Sequence, residues 1–166
     1  MAKWTMEGMS EYIAYLQSIA GVTDEAIGAG VYAMAEVVAD KVRDNIRALP
    51  AAQKGKTSYR VSEHWVMSRL SEEQKRGLLD GFGVTRMQDD SGYKNVKLGF
   101  DGYNSIKTKK YPQGQPNVLI ARVTESGSSY RQKTPFMRTA VNASRKEALE
   151  KGREAVDRVL GDISDK

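Results

Sequence analysis

Between Thr23 and Pro50 the apolar residues Ile27, Val31, Met34, Val38, Val42 and Ile46 return at steps of three and four. Residues spaced this way lie one above another on a single side of an α-helix. Glu36, Asp40, Lys41, Arg43, Asp44 and Arg47 fall mostly off that stripe. Thr23 has the side chain of an N-cap, Asp24 and Glu25 complement the positive end of the helix dipole, and Pro50 closes the segment. The spacing predicts a long one-faced helix from Thr23 to about Leu49, around which the remaining elements have to be arranged.

A shorter helix is expected over 10–20, where Met9, Ile13, Leu16 and Ala20 share a face and Gly21 follows. Residues 51–70 read as a basic loop that leads into a turn anchored by Trp65, Val66, Met67 and Leu70. Ser71, followed by Glu72 and Glu73, starts a helix to about Leu79, and Gly81 and Gly83 stop it. Residues 84–89 and 93–100 read as a hairpin about Asp90-Ser91-Gly92, with Val96, Leu98 and Phe100 on its buried face. Residues 102–116 have no periodicity and read as a loop; 118–123 reads as a further strand and 126–133 as a turn. Thr134-Pro135 reads as a helix start, a capping hydroxyl followed by proline at the first position. That helix is expected to reach about Leu160 on a thin stripe of Val141, Ala148, Leu149, Val156 and Val159. The expected class is α+β: a long N-terminal helix and a C-terminal helix packed on a small, mostly antiparallel sheet with a hairpin. One domain over 1–166 is expected, with a helical extension at 1–22 and loops at 51–70 and 102–117.

Composition narrows the functional classes. Forty per cent of the 166 residues are apolar, enough for one modest core, and no run approaches the roughly 20 apolar residues of a membrane span. There is no cysteine, which removes thiol nucleophiles, disulfides and cysteine-ligated metals. Met1-Ala2-Lys3-Trp4 leads to Glu7 and Glu11 with no apolar signal core, so a cytoplasmic origin is expected. The net charge of +5 is unevenly spread: residues 1–50 carry four basic and seven acidic side chains, residues 51–133 fifteen and eight. A basic middle suits phosphates, acidic protein surfaces or water alone.

The search for chemistry returns little. His64, the single histidine, lies between Glu63 and Trp65 with no evident partner, and a structural or surface role is favoured over a catalytic base. Gly28-Ala29-Gly30-Val31-Tyr32-Ala33 matches a dinucleotide-binding pattern but lies inside a helix with no strand before it, so close helix packing is the better reading. Asp89-Asp90 is better read as a turn former than as a cation site. Two basic stretches remain: Lys54, Lys56 and Arg60, and Lys107, Lys109 and Lys110 beside Tyr103 and Tyr111. Basic residues among aromatics suit single strands or phosphate backbones, which keeps open a nucleic-acid-binding accessory protein. No catalytic, cofactor-binding or metal-ligating set, no small-molecule substrate and no membrane partner are expected.

Three stretches carry a resemblance: 96–104 (Val-Lys-Leu-Gly-Phe-Asp-Gly-Tyr-Asn), 118–127 (Val-Leu-Ile-Ala-Arg leading to Glu-Ser-Gly) and 133–140 (Lys-Thr-Pro-Phe-Met-Arg-Thr-Ala). The last is similar to the Pro-Phe-Met/Leu-Arg-x-Ala block that opens the final helix in the phage tail-component family typified by the tenth gene product of the lambda-like phage Hong Kong 97, also described as tail-completion or neck proteins. Asn45-Ile46-Arg47-Ala48-Leu49-Pro50 resembles the end of that family's first helix. The resemblance covers roughly 23–160; it departs after Pro50, where many members have an early Thr-Gly and this chain has Gly55-Lys56-Thr57 and a longer segment. It implies a non-enzymatic virion subunit of the neck or tail, assembled in the host cytoplasm as a ring such as a hexamer, with tail-tube and head-connector proteins as partners and non-specific contact with DNA in a channel. Under that reading Pro135, Phe136, Met137 and Arg138, at a helix start after an exposed turn, are expected at an assembly interface, with ordinary core filling the equal alternative for Phe136 and Met137, and Lys107, Lys109, Lys110 and Tyr111 on a loop that faces the channel or docks on a neighbour.

Overall fold

A computed structural model describes residues 24–52, 56, 58–63 and 65–164. The helix expected over 10–20, the N-cap at Thr23, His64 and Lys54 lie outside the described residues. The order is α1 (Asp24–Ala48), β1 (Ser58–Ser62), β2 (Trp65–Ser68), α2 (Glu72–Gly81), β3 (Phe82–Val84), β4 (Gln88–Asp90), β5 (Tyr93–Asn95), β6 (Leu98–Phe100), α3 (Asn117–Ser126) and α4 (Met137–Ser164). Among the described residues, four helices with small ribbons of strand make the fold α+β, as expected from the sequence. The strands form three two-stranded ribbons, β1–β2, β3–β6 and β4–β5, rather than one sheet.

The chain divides into two compact units, one holding Val42–Gly83 and Gly99–Ala140, the other the described chain up to Lys41, Val84–Leu98 and the chain from Val141. The sequence predicts a single domain; α1, the β3–β6 ribbon and α4 each contribute to both units.

In the second unit the helical stripe is realised as predicted: Ile27, Val31, Met34 and Val38 are at most 5% exposed. The facing stripe of α4 consists of small side chains, with Ser144, Ala148, Gly152 and Val156 buried at steps of four. Gly30 and Gly152 make this close approach possible. A Cβ on Gly30 would lie 2.7 Å from Val156 Cγ2, and one on Gly152 would lie 2.5 Å from Met34 Cγ. Gly30 of the apparent dinucleotide motif therefore serves helix packing, the reading favoured from sequence, whereas a Cβ on Gly28 would meet Met87 Cε at an ordinary 3.9 Å.

The β4–β5 hairpin of this unit turns through Ser91 and Gly92, at φ 58° and 91°. Two consecutive residues with positive φ are what a two-residue turn matched to strand twist requires. Asp89 stabilises the turn by accepting the Gly92 N–H (2.7 Å) and a Lys94 hydrogen bond (2.8 Å). Lys94 also pairs with Asp24 at 3.1 Å, close to the positive end of α1.

The first unit contains the larger side chains, among them Ile46, Leu78, Phe82 and Phe136, each no more than 6% exposed. α2 starts with a capping box: the Gln74 N–H donates to Ser71 Oγ and the Ser71 N–H donates to Gln74 Oε1, both at 3.2 Å. The end of α1 is held by Lys75, whose ammonium donates to the Leu49 carbonyl at 3.0 Å. Residues 51–70, expected as a loop, instead contain the antiparallel hairpin β1–β2. Its first strand is exposed except for half-buried Tyr59, so it lacks the alternation that marks a strand in sequence.

The strand expected at 118–123 is the helix α3. Asn117, Ile120, Ala121, Thr124 and Glu125 are its buried residues, a three–four spacing that a helix alone can put on one side. Gly127 ends it at φ 76°, with its N–H on the Val123 carbonyl at 3.1 Å. The loop over 102–116 is as expected free of helix and strand. It is pinned by a hydrogen bond from the Asn104 N–H to the Gln115 carbonyl (2.9 Å) and by buried Asn104 and Asn117 packed beside Gly77.

Candidate functional site

The expected helix start at Thr134-Pro135 is shifted. α4 begins at Met137, and its cap comes from another helix: the buried Glu125 carboxylate accepts the N–H groups of Phe136 (2.7 Å), Met137 (2.8 Å) and Arg138 (3.1 Å). An anion at this position meets both the orphan donors and the positive end of the helix dipole. Nothing local in the sequence signals Glu125, because the amides it serves lie eleven to thirteen residues further on.

This placement corrects half of the expected assembly interface. Phe136 and Met137 are 1% and 4% exposed and belong to the chain's own core, where the Phe136 ring meets Phe100 edge-on at 6.0 Å and Phe100 meets Phe82 at 5.2 Å. The Phe136 carbonyl also accepts from Asn45 Nδ2 at 2.9 Å. Two apolar residues after a turn are drawn inward because burial of a Phe is worth about 1.5–3 kcal/mol. Pro135 and Arg138 remain exposed.

Lys107, Lys109 and Lys110 are exposed, and Tyr111 is half-buried with the Lys110 ammonium 5.5 Å from its ring centre. Tyr103 is 59% exposed on the same loop. Arg60 is exposed on β1 and Lys56 is exposed just before it. Asp89 and Asp90 form the hairpin turn region, and Lys94 beside Asp89, with the Gly92 N–H, holds the Asp89 carboxyl below its ordinary range. Lys94 in turn is raised by its bonds to Asp89 and then Asp24. Among the described residues no group of three or more His, Asp or Glu is arranged to hold a metal.

A concavity in the first unit was not foreseen from sequence. It has a volume of about 350 Å³ and is lined by Leu49, Pro50 and Leu70, by Thr124 and Arg131, and by Arg69 and Tyr59. Arg69 stacks over the Tyr59 ring at 4.9 Å, and Tyr59 Oη donates to Gln132 Oε1 at 3.1 Å.

Arg131 is 6% exposed, yet every hydrogen bond it makes goes to a neutral acceptor. Nε donates to Ser68 Oγ (3.3 Å), one terminal nitrogen to Thr124 Oγ1 (3.3 Å), and the other to Gln74 Oε1 (2.9 Å) and the Arg69 carbonyl (3.4 Å). Among the described residues no carboxylate pairs with it. Burial pushes its pKa down from the usual arginine value. Arg131 sits in the tight turn in which Ser128 and Arg131 bond to each other (2.9 and 3.3 Å), and no sequence pattern distinguishes it from the surface arginines around it.

No family model, curated protein or solved structure matches the chain. No helix among the described residues is long and apolar enough to cross a membrane.

Proposed function

We propose that the chain is a structural subunit of a tailed-phage or prophage neck, of the tail-completion or head–tail-joining kind, that acts by assembling with copies of itself and with tail-tube and head-connector proteins. The observation that carries this reading is the physical coupling of the three stretches on which the resemblance rests. Phe100, from the first, meets Phe136, from the third, edge-on. Glu125, from the second, caps the Phe136–Arg138 amides of the third, and Gly127 at positive φ lets the chain pass close to Lys133. The likeness thus follows one packing arrangement and not unconnected short matches.

The strand ribbons support an assembling role. Among the described residues each ribbon is two strands wide, and edge positions whose backbone groups have no partner strand can pair with a neighbour, the Ser68 N–H of β2 being already taken by the Tyr130 carbonyl. Such a protein acts through shape and burial and has no need of a reacting group. The test is deletion of its gene from a phage or prophage that encodes it, followed by electron microscopy of the lysate. Separate heads and tails are expected; normal joined virions would overturn the reading.

A second reading, a nucleic-acid-binding accessory protein, is favoured by one observation: Lys107, Lys109 and Lys110 are all exposed on a loop that also presents Tyr103. Replacing the three lysines by alanine would lower the slope of log affinity against log salt by up to about three on duplex DNA. An unchanged slope, or no binding by the parent protein, removes this reading.

A further inference from the structure

We propose that the cleft over Arg131 is a binding site for a carboxylate side chain carried by an acidic segment of a partner polypeptide. The inference goes beyond the assembly reading and stands without it.

Burying a guanidinium without a counter-charge is costly, and protein interiors ordinarily compensate such a charge with a carboxylate. Here the compensation is incomplete in three respects. All four acceptors are neutral, and three of the four bonds are 3.3–3.4 Å long, against about 2.7–2.9 Å for charge-assisted bonds. Four of the five N–H groups of a guanidinium are used, which leaves one on the nitrogen that bonds Thr124. Among the described residues, those lining the cleft include a second cation, Arg69, and no acid. The cleft therefore has a positive interior with unspent donor capacity and a size within the range of about 300–1,000 Å³ typical of ligand sites.

The shape selects the class of occupant. Arg131 is 6% exposed, so its cation is recessed, and the residues that line the cleft with it include the apolar Leu49, Pro50 and Leu70. A duplex backbone presents its phosphates on a broad cylinder and cannot place one against a recessed group. An aspartate or glutamate reaches in on a short apolar stem, and that stem matches the apolar lining. Tyr59, Ser68 and Gln132, which also line the cleft, supply polar partners for the backbone of an extended segment.

The test follows the Arg131 Nε–H resonance in the full-length protein. The probes are the blocked peptide acetyl-Gly-Ala-Glu-Ala-Gly-amide, its glutamine counterpart and inorganic phosphate. A saturable shift with the glutamate peptide is expected in the millimolar range, at least tenfold tighter than with the glutamine peptide or phosphate. No saturable shift, equal response to the two peptides, or preference for phosphate would each overturn the proposal.

Gln74→Glu provides the matched control. A carboxylate at this position takes the place of an acceptor 2.9 Å from Arg131 and keeps the capping box of α2, in which glutamate and glutamine are interchangeable, while the Gln115 amide, whose Oε1 accepts from Gln74 Nε2 at 2.7 Å, must turn over to donate to the new carboxylate. It should lower affinity for the glutamate peptide at least tenfold without lowering the unfolding midpoint. Unchanged affinity in that folded variant would also overturn the proposal. A failed peptide titration leaves the virion deletion result unaffected, so the two proposals fail separately.

Discussion

Glu125→Ala should be among the most damaging substitutions outside the apolar core. Its carboxylate accepts three amide protons at 2.7, 2.8 and 3.1 Å. Phe136 and Met137 are buried, so their N–H groups lose their acceptor with no route to bulk water, whereas the Arg138 amide belongs to an exposed residue. Each orphaned buried donor costs about 1–3 kcal/mol, or roughly 2–6 kcal/mol for the two. The variant also no longer buries a carboxylate, which returns part of that desolvation cost. The net loss expected is about 2–4 kcal/mol, several times the ~1 kcal/mol of an ordinary N-cap replacement. Glu125→Gln keeps the shape. With its oxygen in the place of Oε2 it still serves Phe136 and Met137, but it turns an NH₂ towards the Arg138 amide and loses the charge, a cost of about 1–2 kcal/mol. The assay is urea unfolding, combined with hydrogen exchange at the Phe136, Met137 and Ala140 amides. Exchange there should accelerate in the order Gln then Ala. An alanine variant within about 0.5 kcal/mol of the parent, or a glutamine variant as damaged as alanine, would refute the reasoning.

Gly30→Ala places a methyl 2.7 Å from Val156 Cγ2 and 3.3 Å from the Gly152 carbonyl oxygen, so overpacking of about 1–3 kcal/mol should outweigh the roughly 1 kcal/mol gained in helix propensity. A rise in the thermal unfolding midpoint would contradict the close approach of α1 and α4 within their unit. Asp89 has a folded pKa below its unfolded value, so its contribution to the hairpin is present above the unfolded pKa and is lost as pH falls through the folded one. An NMR titration should place its midpoint below that of an unperturbed aspartate, and Lys94→Gln should bring it back up. A midpoint unmoved by that substitution would remove Lys94 as the main cause.

How much of this was legible in the sequence depends on whether the burial of each segment is decided locally. α1 was readable because its stripe is long, uninterrupted and bounded by Asp24, Glu25 and Pro50, and the α2 start because Ser71 is followed directly by the acidic first turn of Glu72 and Glu73. α3 was misread because Val118, Leu119, Ile120 and Val123 have the β-branched, apolar composition of a strand. The deciding spacing includes the polar Asn117, Thr124 and Glu125, which are buried only because Asp101, Arg131 and the start of α4 bond to them. The β1–β2 hairpin escaped notice for the opposite reason: an exposed ribbon leaves no apolar alternation to find.

The same distinction separates the candidate sites. Phe136 and Met137 were placed at a surface because a turn precedes them; the carboxylate that draws their amides inward is supplied by α3. Arg131 looks in sequence like one more basic residue in a basic middle. Its charge becomes a constraint only when Ser68, Gln74 and Thr124, from three separate elements, surround it with neutral acceptors. An excess of positive charge that reads as a solvated surface therefore includes one group withdrawn from solvent, and a withdrawn cation selects its partner far more narrowly than the exposed lysines of the 102–116 loop.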